Sequence, residues 1–249
     1  MAKLNIVVIS RPDGWLDTHL RRFVFYAKSN VPEANLYLLL RVPKDFDYRA
    51  LDKVSPFFVS SLSSDFKSIK IITDKEMPGY LIFNDWLRGG ILDAFNLTEA
   101  LYLDVDTDII KSIYEIPELG KEDILWTPNK YTRKSVFTAL DVYGIKHSPP
   151  YAEPSVMYLR RSFSDAYIKL VRDNKIDMND YLPSVNIWNI IIRQCGSQRM
   201  LPYCYNTVSW DIPCIAEAKI LHFAGSQAKA IRQYYDYSEM STAIRLKLP

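Results

Sequence analysis

Apolar residues recur along this chain at two spacings, and the spacings alternate. Leu4–Ile9 is a short, mostly apolar run that ends in Arg11-Pro12-Asp13-Gly14. A run of that length closed by a turn cluster predicts a buried strand with a loop at its C-terminal end. Asp17-Thr18 can cap a helix from His19 to about Ser29, with Leu20, Phe23, Val24 and Ala27 on its apolar face and Asn30 and Pro32 ending it. Asn35–Leu40 and Ser68–Ile72 read as the next two strands, with a helix between them. The order β-α-β-(helix)-β is that of a parallel sheet in a layered α/β fold.

The alternation continues downstream. Tyr80 to about Phe95 reads as a helix through Leu81, Phe83, Trp86, Leu87 and Leu92, interrupted or tightened at Gly89-Gly90. Ala100–Leu103 is then a central strand that runs straight into Asp104-Val105-Asp106-Thr107-Asp108. Ile124–Thr127 and a segment from near Ser155 through Leu159 are further strands. Phe163–Asn174 and Tyr181–Gln194 read as helices, the second with Pro183 in its first turn. Leu201–Tyr205 and Lys219–Phe223 read as late short strands. No repeat or linker breaks this order. The expected organisation is one domain over residues 1–229 and a basic, aromatic tail over 230–249, acting as a lid or subunit contact.

Composition narrows the function. Hydrophobic residues make up 48% and charged residues 24% of 249, which suits one sizeable globular core. The net charge of +2 is no electrostatic footprint for non-specific nucleic-acid binding. Apolar runs such as Leu36–Leu40 fall far short of the roughly 18 residues that suggest a membrane span. The N-terminus lacks a signal-peptide pattern, and three cysteines without a C-x-x-C spacing fit reduced thiols. A cytoplasmic protein is expected, with a peripheral membrane contact through the tail left open. Asn96-Leu97-Thr98 is then a chance match to a glycosylation sequon. Only eight glycines are present, and none can be placed in G-x-G-x-x-G or G-x-x-x-x-G-K-[ST]. A phosphate-cradling glycine loop is excluded at the motif level.

The acidic run after the central strand carries the strongest chemical signal. In extended chain, Asp104, Asp106 and Asp108 share one face with neighbours about 7 Å apart. Carboxylates at the end of a buried strand repel one another and call for a cation. Hard divalent ions accept such oxygens, and open α/β sheets collect ligands at the carboxyl ends of their strands. A solvated acidic turn is the plain alternative.

The segment Glu99-Ala-Leu-Tyr-Leu-Asp-Val-Asp-Thr-Asp-Ile-Ile110 resembles the D-x-D segment of GT-A-fold glycosyltransferases, especially the family 8 group of glycogenin and galactosyltransferase-like enzymes. Ile220-Leu-His-Phe-Ala-Gly225 resembles that group's late H-F-x-G segment. The resemblance implies a GT-A-type, Rossmann-like mixed and mostly parallel sheet flanked by helices. It implies that Asp104, Asp106 and His222 hold Mn²⁺ or Mg²⁺ at the diphosphate of a nucleotide sugar, most often a UDP-sugar. Asp108 is a supporting residue. Gly225 approaches the diphosphate, and Arg88 lies near the nucleotide and the first aspartate. The family's lysine after that histidine falls on Ala228, with Lys229 next and Arg232 a possible substitute. Ser10 and Arg11, in the first βα loop, lie beside the base and ribose.

Two further segments depart from the family. Glu153 stands where the family's N-S-G-V segment has Asn, and Asn179-Asp180 stands where it has a Gln-Asp pair beside the anomeric carbon. Glu153, Asn179 and Asp180 are therefore the catalytic candidates. The expected activity is metal-dependent transfer of a sugar to an acceptor hydroxyl, with retention favoured. Candidate acceptors are a glycan, a lipid-linked sugar, a protein or a modified nucleic-acid base. A homo-oligomer is compatible with the sequence. Competing readings are a nucleotidyltransferase on a related fold and a non-catalytic nucleotide-sugar-binding module.

Overall fold

The computed structural model describes residues 3–11, 19–42, 59, 62–73, 85–130, 134–177 and 183–224. Asn179, Asp180, Gly225, Lys229, Arg232 and the expected tail lie outside them, as do the cap at Asp17-Thr18 and most of the helix expected between the second and third strands. The N-terminal half runs β1 (Asn5–Ser10), α1 (Arg21–Asn30), β2 (Asn35–Val42), β3 (Ser68–Thr73), α2 (Asp85–Gly89), α3 (Ile91–Phe95), β4 (Ala100–Asp104) and β5 (Thr107–Ile109). There follow β6 (Ile124–Asn129), α4 (Lys134–Val142), β7 (Tyr151–Leu159), α5 (Ser164–Arg172), α6 (Pro183–Gln194), β8 (Gln198–Met200), β9 (Thr207–Val208), α7 (Ile212–Ile215) and β10 (Ile220–His222).

The main sheet has the order β3-β2-β1-β4-β7-β6-β8. β1 is parallel to β2 and β4, β2 to β3, and β6 to β8, whereas β7 runs antiparallel to both β4 and β6. This is the mixed, mostly parallel α/β sheet that the apolar pattern implies. Continuous apolar strands are needed because both faces are covered. Val7, Ile9, Tyr37, Leu39 and Tyr102 pack with α3, α4, α5 and α6 on one face. Ile6, Val8, Leu36, Leu38, Leu101 and Leu103 pack with Phe23, Val24 and Ala27 of α1 on the other. Residues i and i+2 thus sort each strand between two cores. α6 is buried over Pro183–Ile192, and its Trp188 edges against Phe163 and Tyr167.

The helix expected up to Phe95 is broken at Gly90 into α2 and α3. A Cβ at Gly89 would lie 3.0 Å from the Phe163 carbonyl carbon and 3.1 Å from the Ser164 nitrogen. The backbone approaches too closely there for a side chain, and Phe163 N–H donates to Gly89 O at 2.9 Å.

Three expectations are corrected. Leu201–Tyr205 is not a strand: after Pro202 the chain makes a 3₁₀ turn over Tyr203–Asn206, and the strands flank it as β8 and β9. Proline lacks the N–H that a ladder needs. The strand expected from near Ser155 starts at Tyr151, pulled into register by β6 across a bulge between Trp126 and Thr127. The alternating aspartates do not share one face, because the chain turns after Asp104 and begins a second sheet, β5-β10-β9.

Asp108 lies in that second sheet, fully buried, and its carboxylate accepts from Arg22 Nε of α1 at 2.7 Å. Asn30, also of α1, donates to Ile109 O at 2.8 Å. α1 thereby fixes the strand that follows the aspartate turn. Replacing Asp108 by alanine takes the carboxylate away from the mostly buried Arg22 guanidinium. Chemical denaturation of Asp108→Ala is expected to show a loss of about 3–5 kcal/mol, whereas loss of less than about 0.5 kcal/mol would mean that this pair does not anchor the second sheet.

Candidate metal and donor site

The site forms where the two sheets meet. β4 runs beside β1, with Asp104 opposite Ile9, and then the chain turns at Val105-Asp106. Thr107 Oγ1 donates to the Asp104 carbonyl at 2.7 Å and closes that turn. β10 lies antiparallel to β5, with His222 opposite Thr107, and Phe223 N–H donates to Asp106 O at 2.9 Å. These contacts carry His222 to the aspartates. Asp106 and His222 are both 4% exposed.

One ligand atom from each of Asp104, Asp106 and His222 can be chosen so that all three lie within 4.8 Å of one another. The turn shortens the roughly 7 Å spacing of an extended D-x-D into the range of a shared ion. His222 Nε2 stands 3.7 Å from Asp106 Oδ1. That is long for a hydrogen bond. It suits two ligands placed about 2.1 Å from one cation. His222 Nδ1 is buried and has no hydrogen-bond partner among the described residues. Two carboxylates and an imidazole match the O/N preference of Mn²⁺-like divalent ions, so the donor set fits the expected metal.

Arg88 of α2 approaches the first aspartate. Its Nη2 donates to Asp104 Oδ1 at 2.9 Å and to Oδ2 at 3.2 Å, and its Nε donates to Tyr102 Oη at 3.0 Å. The guanidinium carbon lies 5.1 Å from the Tyr102 ring centre, and the Tyr102 hydroxyl donates in turn to Asp104. Both sides of the Asp104 carboxylate are thus oriented before any ligand arrives. Tyr102 went unread in the sequence, although its place two residues before Asp104 on one strand puts both on the same face.

Glu153, on β7, belongs electrostatically to the same site. Its Oε2 accepts from Asn129 Nδ2 at 2.9 Å and its Oε1 from Ser155 Oγ at 2.9 Å. Burial pushes its pKa above the usual carboxylate range and Asp104 pushes the same way, while His222, the Ser155 hydrogen bond and Arg88 pull it down. Asn129 carries no sequence signal, because it reaches Glu153 only through the bulged β6–β7 pairing.

Ser10 ends β1 and is buried, with its hydroxyl oxygen unpartnered among the described residues; Arg11 beside it is exposed. The structure therefore brings Ser10, Arg88, Asp104, Asp106, Glu153 and His222 to the strand ends. Asn179, Asp180, Gly225 and Lys229 lie outside the described residues. Asp108 faces Arg22 instead. No helix among the described residues is long and apolar enough to cross a membrane.

No protein-family model and no curated protein matches this sequence. Solved structures do. The galactosyltransferase LgtC, in complex with donor and acceptor sugar analogs, aligns with TM-score 0.61 at 11% identity over 89% of this chain and 87% of that one. The bifunctional glycosyltransferase WbbM aligns with TM-score 0.58 at 11% identity, over 98% of this chain and 52% of that one. The glycosyltransferase GlyE of Streptococcus pneumoniae aligns with TM-score 0.57 at 12% identity, over 98% of this chain and 64% of that one. The chain has the GT-A-like fold of these glycosyltransferases.

Metal binding can be read without any substrate. Mn²⁺ titrated alone is expected to raise the thermal midpoint of the wild-type protein, since about 100-fold excess over Kd stabilises by about 2.7 kcal/mol. Asp106→Ala and His222→Ala are expected to abolish the shift. An equal shift in both variants would place the ion elsewhere.

Proposed function

We propose that this chain is a metal-dependent glycosyltransferase that moves a sugar from a nucleotide sugar, a UDP-sugar by preference, to an acceptor hydroxyl with retention. The observation that carries this reading is the convergence of Asp104, Asp106 and His222 at the strand ends of a glycosyltransferase-like fold. A divalent cation bound there supplies Lewis-acid stabilisation of the departing nucleoside diphosphate. The absence of a glycine-rich phosphate loop supports the same arrangement, because the diphosphate charge then needs a cation.

The chain's own groups divide the remaining work. Arg88 and Tyr102 hold Asp104 in one rotamer, so the first aspartate needs little reorganisation when donor binds. Ser10 and Arg11 meet the nucleoside at the end of β1. Glu153, oriented by Asn129 and Ser155, stabilises positive charge at the anomeric carbon. In a retaining reaction the leaving phosphate takes the acceptor proton. Asn179 and Asp180 are assigned to the anomeric side, and Gly225 and Lys229 to the diphosphate.

Hydrolysis of UDP-glucose and UDP-galactose, measured without acceptor, tests the core of this proposal. Chelator and Asp106→Ala are each expected to lower Mn²⁺-supported turnover roughly 100-fold or more. Equal activity with metal, with chelator and in the variant would overturn it. Glu153→Gln is expected to lower turnover by a similar factor while leaving the Mn²⁺-dependent midpoint shift intact. A variant with unchanged turnover would remove Glu153 from the chemistry.

A further inference from the structure

Glu153 sits where the β6–β7 pairing breaks register. Trp126 is opposite Met157 and Thr127 is opposite Glu153, so β7 advances four residues while β6 advances one. Pro154, Ser155 and Val156 therefore have no residue opposite them on β6. A bulge re-aims the side chains around it, and this one carries the Glu153 carboxylate. The fully buried Thr127 side chain stands across its mouth. Thr127 Oγ1 lies 3.1 Å from Glu153 O and 3.3 Å from Val156 O. A hydroxyl has one proton to give and two lone pairs, so it can hold either carbonyl and still accept a bond. The buried Asn206 supplies that bond from its Nδ2 at 2.8 Å.

Asn206 ends the 3₁₀ turn before β9, whose Thr207 and Val208 lie opposite Leu221 and His222 of β10. The Asn206–Thr127 bond thus joins the strands of the His222 sheet to the backbone that carries Glu153. Asn206 Oδ1 is buried with no hydrogen-bond partner among the described residues. An unpaired buried oxygen costs stability, and sequences accept such costs mainly at functional sites. On the N-terminal side of Glu153, the buried Asn189 of α6 takes both backbone groups of Ala152. Ala152 N–H donates to Asn189 Oδ1 at 2.8 Å, and Asn189 Nδ2 donates to Ala152 O at 3.0 Å. Ala152 lies opposite Pro128, which has no N–H to give to the ladder. Side chains therefore fix the backbone at Ala152 and Glu153 where the sheet alone does not.

We propose that Thr127 is a positioning residue for the transfer reaction: its hydroxyl, oriented by Asn206, fixes the bulge that presents Glu153 to the metal cluster. Thr127 acts on the backbone of Glu153, while Asn129 and Ser155 act on its carboxylate. A group misplaced by about 1 Å loses much of its effect on the reacting centre. The cost of losing Thr127 therefore falls on the chemical step and not on donor or metal binding. This deepens the glycosyltransferase reading and rests on it, through the role given to Glu153.

A double-mutant cycle tests this, read as kcat and KM for hydrolysis of UDP-glucose and UDP-galactose with Mn²⁺. Thr127→Val removes the hydroxyl at nearly constant volume, and Thr127→Ser keeps it. Thr127→Val is expected to lower kcat about 10-fold, the equivalent of about 1.4 kcal/mol, with KM and the Mn²⁺-dependent midpoint shift unchanged. Thr127→Ser is expected to keep most of the wild-type kcat. In a Glu153→Gln background, Thr127→Val is expected to change kcat less than about 2-fold, because a residue that acts through another adds nothing once that other is gone. Asn206→Ala leaves Thr127 in place and is expected to lower kcat about 3-fold, again with no effect in the Glu153→Gln background. It decides the question if Thr127→Val does not fold, and its unchanged kcat or additive loss counts equally against the inference. Unchanged kcat in Thr127→Val, an equal loss in Thr127→Ser, or a full further loss on top of Glu153→Gln would overturn it. Wild-type kcat in Glu153→Gln alone would instead remove Glu153 from the chemistry, and no hydrolysis by the wild type would overturn the function, so the failures read out separately.

Discussion

Two carboxylates and an imidazole packed within 4.8 Å at the end of a buried strand are the constraint around which this fold is arranged. Like charges that close, screened little by water, disfavour their own ionised forms. Compensation comes from separate directions. Arg88 neutralises Asp104 from α2, and Arg22 neutralises the neighbouring Asp108 from α1. Asp106, deepest of the pair in the cluster, has His222 beside it. The cluster gathers ligand atoms of the types that divalent cations accept.

The scaffold follows from that requirement. Parallel strands deliver their carboxyl ends to one rim, and β4 continues past that rim only by turning into a second sheet. That sheet is small, and its strands are too short to stand alone. It persists because α1 grips β5 through Arg22 and Asn30, and because β10 is paired on both sides. Gly89 serves the same end: its bare backbone lets α2 pack against the Phe163 segment, and α2 carries Arg88.

Glu153 shows how position changes the chemistry of an ordinary side chain. On β7 it is an antiparallel insertion among mostly parallel neighbours. The bulge in β6 swings Asn129 onto it, and burial lifts its pKa while His222 and Arg88 oppose the lift.

Local pattern determined the sheet, because strands covered on both faces must be apolar without interruption, and Leu4–Ile9, Asn35–Leu40 and Ala100–Leu103 have that character. The acidic run after the central strand drew attention to Asp104 and Asp106, and the resemblance of short segments to GT-A-fold glycosyltransferases pointed to His222, Arg88 and Glu153. Local pattern could not show that Asp108 turns away to Arg22, since period-two alternation holds only while the chain stays extended. It could not show Tyr102, Asn129 or the Thr127–Asn206 pair, since these act through strand register and through contacts between residues far apart in the chain. The amino-acid sequence thus determined which chemistry is available, and the tertiary structure decided which groups share it. Ligand geometry depends on distances of a few ångströms that only the crossing of β4, β5 and β10 creates.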